Sequence, residues 1–460
     1  MTTEPVLDAF QRALRQWPAA GRCHLAFSGG LDSTVLVDLA LRCRSELPPL
    51  HALYVDHGLQ PGSGHWGGHC ATWCAARGLD FTALALDGKP PAGESLEAWA
   101  RRARYAALAM CLAPGDLLLT AHHADDQLET FLLQALRGAG PAGLAAMAPL
   151  RRLEPGWLAR PLLALTRDQL RDYAEARELA WIDDPSNANP ALDRNYLRSA
   201  VLPALRARWP QAARTISRSA RQCAQASEQL AAWSEAQLAA GMVADGALVL
   251  TRWSERPPRE RDLLLRHWLA EARLPLPSTR MLASIADQLA MADADRQVLL
   301  SYPGVEIRRH RGRAYAGTPL TPVPDVKLPW LAPSQPLALP GDLGQLVLEA
   351  GMGGLDPLAL AGRRLEIGFR RGGERIRLPG RAHHQMLTEL CRRAGLAPWV
   401  RDRLPLLWVD GVLAAVADHW VAAPFAAGPD SPGLQLRWAM PAALGRVFSA
   451  GAQTGTDPAA

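Results

Sequence analysis

The sequence predicts an α/β protein with an N-terminal doubly wound parallel sheet, a helical middle domain and a small α+β C-terminal domain. Three observations support this prediction. Short apolar runs alternate with helix-like stretches over the first third of the chain, as in repeated βαβ units. Polar motifs follow those runs, at the strand ends where such sheets bind ligands. The rest of the 460 residues reads first as helices and then as short apolar runs broken by glycine and proline.

Four apolar runs in the first third predict buried strands. They cover 23–27, 50–55, 81–86 and 116–120. Helix-like stretches lie between them at 34–41, 64–77 and 94–112. This alternation predicts a parallel sheet with helices on both faces.

The later part of the chain divides by composition. Helical apolar periodicity runs from about 215 to 295, and 317–340 contains seven prolines, which predicts a linker. One helix is expected near 383–395. The predicted boundaries are 1–214 for an N-terminal domain, 215–316 for a mainly helical domain, 317–340 for the linker, 341–440 for the C-terminal domain and 441–460 for a disordered tail.

Composition limits the class of protein. The net charge of +5 favours a polyanionic partner only weakly, because two of the 50 basic residues are lysines and the arginine excess is typical of a GC-rich coding bias. Seven scattered cysteines argue against a disulfide framework. The start has no basic region before an apolar core, and no uncharged apolar run reaches about 18 residues. We expect a soluble cytoplasmic protein that makes no use of a membrane.

A glycine loop follows the first apolar run and leads into a helix. Two glycines let the backbone approach a phosphate, and the helix start offers free N–H groups and the positive end of its dipole. Asp32 suits either helix capping or magnesium. The loop lacks the Gly-Lys-Ser/Thr ending of a Walker A motif. Its residues are Ser28, Gly29, Gly30, Leu31, Asp32 and Ser33.

An acidic segment leaves the strand at 116–120 and enters a helix. Asp125, Asp126 and Glu129 share its first turns, where the helix dipole favours carboxylates. They read either as ordinary N-terminal acids or as a magnesium site facing the loop. His122 at the strand end is a candidate phosphate donor, although a lone histidine is more often packed.

Three other groups of polar residues are ambiguous. Arg101 lies on a helix face with Glu97 and Arg104, where an arginine pairs with a phosphate or a carboxylate. A later polar cluster, Asn187, Asp193, Arg194, Asn195 and Arg198, has the same two interpretations. His65, His69, Cys70 and Cys74 fit helical ligand spacing only loosely, so helix packing explains them better than zinc.

Together these segments resemble the tRNA(Ile)-lysidine synthetase family of the PP-loop ATP pyrophosphatase superfamily. The loop matches that superfamily's Ser-Gly-Gly-x-Asp-Ser motif, and the similarity runs with gaps from about residue 20 to 440. The resemblance implies an adenine nucleotide alpha-hydrolase-like fold for the N-terminal domain. The matching segments are Ser28–Ser33, Val55–Leu59, Ala100–Tyr105, Ala121–Thr130, Arg137–Leu144, Arg160–Leu163, Trp181–Asn187, Arg194–Asn195, Phe369–Arg375 and Pro398–Arg403.

The resemblance implies a two-step ligase reaction with ATP and Mg²⁺. The O2 atom of the wobble cytidine of a tRNA(Ile) with a CAU anticodon attacks the α-phosphorus, and free L-lysine then displaces AMP at C2 to give lysidine. Asp32, Asp126 and Glu129 are expected to hold magnesium. Arg101, His122 and Arg194 are candidates for contacts to phosphate, or for orienting the adenylated base, and Arg194 is also expected to bind the tRNA. The loop and Asp56 are expected to bind ATP.

The C-terminal domain is expected to contact the tRNA. Arg370, Arg371, Arg375, Arg377 and Arg381 predict a basic strand-and-turn patch suited to phosphates, and the resemblance adds Arg401. A solvated arginine face is the alternative. His383 and His384 stand where relatives tend to carry lysines, which predicts a weaker or pH-dependent contact.

Several alternatives stay open. A PP-loop tRNA thiolase needs reactive cysteines, for which the spacing of Cys70 and Cys74 is the nearest match. An enzyme that adenylates a small molecule leaves the arginine-bearing C-terminal domain without a purpose, and a non-catalytic tRNA-binding protein would not need the intact loop and carboxylates. The carboxylate expected to bind the ammonium group of free lysine is either Asp56 or one of Asp125, Asp126 and Glu129. The sequence is equally compatible with a monomer and a homodimer.

Overall fold

The chain folds into two compact units, residues 1–229 and 230–460. Among the residues described, no helix is both long and apolar enough to cross a membrane. The computed structural model describes residues 3–17, 21–56, 58, 63–86, 88, 90–91, 96–182, 193–244, 246–291, 298–341 and 343–440. His57, Asn187 and the predicted tail at 441–460 lie outside these ranges.

The first unit contains a six-stranded sheet flanked by helices. The strands are β1 (Cys23–Ala26), β2 (Leu50–Asp56), β3 (Asp80–Ala85), β4 (Leu117–Leu119), β5 (Leu150–Leu153) and β6 (Gly156–Ala159). The helices are α1 (Thr3–Leu14), α2 (Leu31–Arg42), α3 (Ser63–Ala75), α4 (Leu96–Met110), α5 (Ala124–Leu136), α6 (Pro141–Leu144), α7 (Arg167–Ala176), α8 (Asp193–Tyr196), α9 (Leu202–Arg208) and α10 (Ala212–Gln237). A π-helical turn, Leu197–Val201, joins α8 to α9.

The strand order confirms the predicted doubly wound fold. The order is β3-β2-β1-β4-β6-β5, and all neighbouring strands are parallel except β5, which runs antiparallel to β6. The chain builds β2 and β3 on one side of β1 and then places β4 on its other side. The carboxyl ends of β1 and β4 therefore flank the point where strand order reverses, and a crevice is expected there.

The central strand and helix α2 form the core of this unit. Leu25 of β1 and Val35, Leu36 and Leu39 of α2 are completely buried. They pack with Phe10 of α1 in one continuous cluster. Burial of these apolar side chains stabilises the packing of α2 against β1, and this packing keeps the start of α2 next to the end of β1.

The second unit combines helices with antiparallel sheets. One five-stranded sheet has the order β7-β8-β11-β10-β9 and packs with α11 and α12, and another has the order β12-β15-β18-β19-β20. The bounds are β7 (Val243–Ala244), β8 (Ala247–Val249), α11 (Pro258–Glu271), α12 (Thr279–Met291), β9 (Val298–Tyr302), β10 (Val305–His310), β11 (Arg313–Gly317), β12 (Leu328–Pro329), β13 (Leu337–Ala338), β14 (Gln345–Met352), α13 (Pro357–Leu360), β15 (Leu365–Phe369), β16 (Arg375–Ile376), β17 (Gln385–Met386), α14 (Leu387–Arg393), α15 (Pro398–Arg401), β18 (Pro405–Val409), β19 (Val412–Val416), β20 (Trp420–Val421) and β21 (Pro432–Ala439).

Two features of the second unit differ from the sequence prediction. The stretch expected to be mainly helical also carries the sheet β7–β11. The proline-rich stretch supplies β12 and β13, and its Trp330 is buried in the core of the C-terminal sheets. Proline has no backbone N–H to donate, but a strand at the edge of a sheet does not need that donor on its outer side. A proline-rich segment can therefore still form short edge strands. The domain boundaries remain predictions.

Asp116 ties together the two central strands at the edge opposite the crevice. Its carboxylate accepts hydrogen bonds from the backbone N–H groups of Arg22 and Ala113, both at 2.9 Å, and from Nε2 of His24 at 3.1 Å. Burial acts to raise the pKa of Asp116, but the hydrogen bonds from Ala113, His24 and Arg22 outweigh it and hold this pKa below its ordinary value. The ionised carboxylate is therefore the stable form in the fold.

Replacing Asp116→Asn should lower the free energy of unfolding by about 1–3 kcal/mol at neutral pH, because the amide nitrogen faces donors that then lack an acceptor. A carboxyl whose folded pKa is lowered contributes stability above its unfolded pKa and loses it as the pH falls through the folded value. The difference from wild type should therefore shrink on acidification to about pH 3. Urea unfolding, with the exposed Asp172→Asn as control, measures this, and a difference independent of pH would contradict it.

Candidate active site

A cavity of about 370 Å³ opens beyond the carboxyl ends of β1, β2 and β4, at the reversal of strand order. It brings together segments that are far apart in the sequence. Its walls include Ser28, Gly30, Leu31, Asp32 and Ser33 from the loop, Leu53–Val55 from β2, Arg104, Tyr105 and Leu108 from α4, Thr120–His122 after β4, and Asp126 from α5.

The glycine loop leaves the start of α2 open. Gly29 has φ +79°, and a Cβ there would lie 3.0 Å from Sγ of Cys70, so both conformation and space require glycine. Gly30 occupies the N-cap position, and no side chain caps the helix. Ser33 closes the loop by donating from Oγ to the Gly30 carbonyl at 2.9 Å. The first N–H groups of a twelve-residue helix thus remain available to an anion.

Helix α5 places several buried polar side chains at its start. Asp126 accepts a hydrogen bond from the backbone N–H of His123 at 3.0 Å, and Ala124 N donates to the Leu165 carbonyl at 2.8 Å. Gln127 forms two hydrogen bonds with the backbone of Met147, at 2.8 and 2.7 Å. These contacts fix the direction of the helix. Its buried polar residues are Asp125, Asp126, Gln127 and Glu129.

His123 lies among three carboxylates. Its Nε2 is 3.5 Å from Asp32 and 3.4 Å from Asp126, and its Nδ1 is 3.6 Å from Asp125. Burial alone would lower the pKa of His123, but the three carboxylates raise it to about 10. The same contacts outweigh burial in the opposite direction and hold the pKa of Asp125 and Asp126 below their ordinary values. The carboxylates around His123 therefore favour its charged form, and its Nδ1 also lies 3.3 Å from the backbone N of Asp125 at the start of the helix.

Three arginines from α8, α9 and the turn between them reach the same carboxylates. Arg198 contacts both Glu129, at 2.5 Å, and Asp126, at 3.1 Å. Arg194 lies 3.2 Å from Glu129, and Arg206 lies 2.5 Å from Asp125. With His123, the three arginines supply four positive charges. They face the four carboxylates of Asp32, Asp125, Asp126 and Glu129.

His122 has the opposite electrostatic environment from its neighbour. Burial and the positive charges of Arg160, Arg101 and Arg104 lower the pKa of His122 to about 3, although Asp126 opposes them. Its Nδ1 lies 2.9 Å from Oγ1 of Thr120. His122 is thus a neutral imidazole in the wall of the cavity, suited to a hydrogen bond and not to a charge contact.

The donor set fits magnesium bound partly by phosphate. Oδ1 of Asp32 is buried without a hydrogen-bond partner, and Asp126 lines the same cavity. Among the described residues, no group of three or more metal-binding side chains forms a complete cage. Mg²⁺ usually takes one or two carboxylates and completes its octahedron with water and substrate phosphates, which is the arrangement that Asp32 and Asp126 allow.

The remaining predicted residues of the first unit have identifiable contacts. The guanidinium of Arg101 lies 5.4 Å from the centre of the Tyr105 ring. Asp56 accepts a hydrogen bond from Gly58 N at 2.9 Å, at the end of β2. Burial raises the pKa of Cys70 to about 12 and that of Cys74 to about 11, so both thiols are protonated. They lie in the apolar core of this unit, which agrees with the helix-packing interpretation.

The predicted basic patch of the second unit contains both paired and unpaired arginines. Arg370 lies 3.6 Å from Glu374, Arg371 is paired with Asp325, and Arg401 donates from Nε to the Leu396 carbonyl at 2.7 Å. Within the described ranges, no acidic side chain lies within ion-pair distance of three members. These are Arg375, Arg377 and Arg381.

Sequence reasoning missed the residues that neutralise the acidic helix start. His123 was overlooked in favour of His122, and Arg206 was not singled out. Arg194 and Arg198 stand at i and i+4, which was the available signal for a helix face presented to Asp126 and Glu129. Without the fold, nothing in the sequence tells which acids that face meets.

Three family models match the chain. A PP-loop domain covers residues 4–205, a TilS substrate binding domain covers 248–315, and a TilS substrate C-terminal domain covers 365–438. The first match contains the cavity and both helix starts.

Relatives of the chain carry one name over nearly its whole length. A tRNA(Ile)-lysidine synthase of Methylococcus capsulatus is 39% identical over 94% of this chain and 99% of its own length. Enzymes of the same name from Alkalilimnicola ehrlichii and Coxiella burnetii are 43% and 39% identical, over 90% and 88% of this chain and 92% and 90% of their own. The chain therefore belongs to the tRNA(Ile)-lysidine synthase family.

Proposed function

We propose that this chain is an ATP-dependent ligase that converts the wobble cytidine of a tRNA(Ile) with a CAU anticodon to lysidine. O2 of the cytidine attacks the α-phosphorus of ATP and diphosphate leaves. The amine of free L-lysine then attacks C2, AMP leaves, and the nitrogen loses a proton. The observation that carries the proposal is the single cavity at the strand-order reversal, which joins the open start of α2 to the carboxylate-bearing start of α5.

The loop side of the cavity suits the phosphates of ATP. The uncapped N–H groups at the start of α2 and the hydroxyl of Ser28 face the position of a departing diphosphate. Leu53, Val55 and Leu108 provide an apolar wall that fits a purine base. Ser28–Ser33 and Asp56 therefore remain our proposed ATP-binding residues.

Asp32 and Asp126 are the proposed ligands of Mg²⁺. When bound there, the ion supplies positive charge that stabilises the diphosphate as it leaves. The unpartnered Oδ1 of Asp32 supports this assignment. Glu129 lies 3.2 Å from Arg194 and 2.5 Å from Arg198, which also contacts Asp126. It holds Arg194 and Arg198 against the start of α5.

The polar residues beside this apolar wall suit the nucleotide being modified. Neutral His122 offers a hydrogen bond without a charge, and Arg101 and Arg104 beside Tyr105 offer charge to a phosphate. These residues are proposed to orient the adenylated base and its AMP. A thiolase reaction is disfavoured, because the nearest cysteine, Cys70, is a protonated thiol.

The second unit is proposed to contact the tRNA, through Arg375 first. Arg375 is exposed and lacks an acidic partner among the described residues, whereas Arg370, Arg371 and Arg401 are engaged within the protein. We retain the proposed domain boundaries at 214, 316 and 340, and a cytoplasmic location, where tRNA and ATP are both present. The proposal applies equally to a monomer and a homodimer.

Incubation of the purified protein with ATP, Mg²⁺, labelled lysine and an unmodified tRNA(Ile) transcript should yield acid-precipitable label, with AMP and diphosphate released in equal amounts. A transcript whose wobble cytidine is replaced by uridine is the control and should stay unlabelled. Release of AMP that depends on tRNA, without label, would keep adenylation and reject lysine as the nucleophile. Label without AMP release would reject the adenylation step.

Asp32→Asn should reduce AMP formation by at least about a hundredfold, because the variant loses the carboxylate proposed to hold Mg²⁺ beside the leaving group. Binding of tRNA should persist, since Asp32 is assigned to ATP and the metal and not to the tRNA. Single-turnover AMP release and tRNA affinity are the two measurements, with the exposed Asp172→Asn as matched control. Parallel loss of tRNA binding and activity would contradict the assigned role.

His123→Gln should destabilise the protein by about 3 kcal/mol near pH 6, because it leaves the buried carboxylates of Asp125 and Asp126, and the partly exposed one of Asp32, without the cation they share. A group whose folded pKa is raised contributes stability below its ordinary pKa and loses it as the pH rises through the folded value. The difference from wild type should therefore decline between about pH 6.5 and pH 10. Urea unfolding across this range measures it, and a constant difference would mean that His123 is neutral in the fold.

A further inference from the structure

Trp209 is an exposed aromatic side chain fixed in place by its backbone. It lies in the turn between α9 and α10, and 58% of it is exposed, although tryptophan is usually largely buried. Its N–H donates to the Leu205 carbonyl at 2.8 Å, and its own carbonyl accepts from Ala212 N at 3.0 Å. The guanidinium of Arg208 lies 5.7 Å from the ring centre. The backbone that carries the ring is therefore fixed, and the ring is exposed with a cation beside it.

An arginine face continues from Trp209 along α10. Arg214, Arg218 and Arg221 stand at i, i+4 and i+7, on one side of the helix over two turns, or about 11 Å. All three are exposed, and in the part of the chain that the structure describes none lies within ion-pair distance of a carboxylate. The opposite side of this helix is apolar and packed, with Ala213 and Ala220 buried.

Trp209, Arg214, Arg218 and Arg221 form a surface that we call the ridge. The helix that carries its arginines packs on α5, which bears the carboxylates of the candidate active site. The apolar side of α10 packs with Ala124 and Leu128 of α5 through Ala212 and Ala213. Arg206, three residues before Trp209, pairs with Asp125 at 2.5 Å. Anything bound to this ridge is thereby placed at a fixed position relative to the start of α5.

The chemistry of the ridge matches an RNA loop on its stem. Unpaired bases stack on aromatic rings, and arginines without acidic partners bind backbone phosphates. An acidic protein would use the charges but not the ring. A membrane surface would need a wider apolar face beside them. The ridge also lies outside the three family matches, between residues 205 and 248.

We propose that this ridge binds the anticodon stem-loop of the substrate tRNA, with Trp209 stacking one unpaired base and Arg214, Arg218 and Arg221 contacting stem phosphates. The inference rests on the proposed function, because it takes the CAU-anticodon tRNA as substrate. It assigns the ridge the task of holding the stem-loop while the wobble cytidine enters the cavity.

Binding of an isolated CAU anticodon stem-loop RNA to the full-length protein tests the proposal. Trp209→Ala should weaken binding by about fivefold or more, and Trp209→Phe should recover most of it. The double variant Arg218→Ala with Arg221→Ala should reduce the slope of log affinity against log salt by about two. Exposed Arg171→Ala on α7 is the matched control for lost charge and should leave both quantities unchanged. Melting temperatures check that each variant folds.

Three results would overturn the inference. The first is unchanged stem-loop affinity and salt slope in the variants. The second is weaker binding of full-length tRNA by the variants while their affinity for the isolated stem-loop is unchanged, which would assign the ridge to another part of the tRNA. The third is a dimer that dissociates on Trp209→Ala, which would assign it to a second copy of the chain. A wild-type protein that binds the stem-loop through Trp209 but incorporates no lysine would instead reject the proposed function and leave the ridge assignment standing.

Discussion

The active-site cavity depends on the neutralisation of four carboxylates gathered around the start of α5. Burial alone would drive protons onto such groups, and the contact of one imidazolium with three of them prevents this. His123 supplies that charge from inside, while Arg194, Arg198 and Arg206 supply it from the neighbouring helices. A single cation at the centre orients Asp32 and Asp126 towards each other although they belong to different helices. The geometry available to a metal and to ATP follows from that balance.

The two helices that open on the cavity start in different ways, and each start suits its task. Helix α2 begins on a glycine with no capping side chain, so its N–H groups remain free for phosphate oxygens. Helix α5 begins differently, because the carboxylate of Asp126 accepts a hydrogen bond from the backbone N–H of His123. This carboxylate is therefore held in place, and the negative charges at the helix start already interact with the positive end of the helix dipole. Because β1 and β4 are neighbours in the sheet, these starts face the same cavity. One of them is suited to an anion, and the other carries carboxylates suited to its counter-ion.

The features that could be predicted are those that depend on residues adjacent in the chain. Apolar runs and the glycine loop were enough for β1, α2 and the doubly wound sheet, since each rests on residues adjacent in the chain. The opposite pKa shifts of His122 and His123 could not be predicted. Burial, which only the fold shows, lowers the pKa of His122, and Arg160 adds to it, whereas Asp126, Asp125 and the sequence-distant Asp32 raise the pKa of His123. Strands β7 and β8 were missed because they are only two and three residues long, and β9, β10 and β11 follow the stretch whose periodicity is helical. Trp330 was assigned to a linker because proline content says nothing about burial.

The number of arginines does not show what the protein binds unless the contacts of each guanidinium are known. In the segment 194–221 the arginines form two sets on successive helical segments. Arg194, Arg198 and Arg206 turn inward to carboxylates of α5, whereas Arg214 and Arg218 turn outward without acidic partners among the described residues. The inward set is committed to stabilising buried charge and cannot also bind phosphate without leaving those acids unpaired. Arginines paired with buried carboxylates and arginines without acidic partners among the described residues thus occupy different helical segments, and the second set is the one suited to a polyanion.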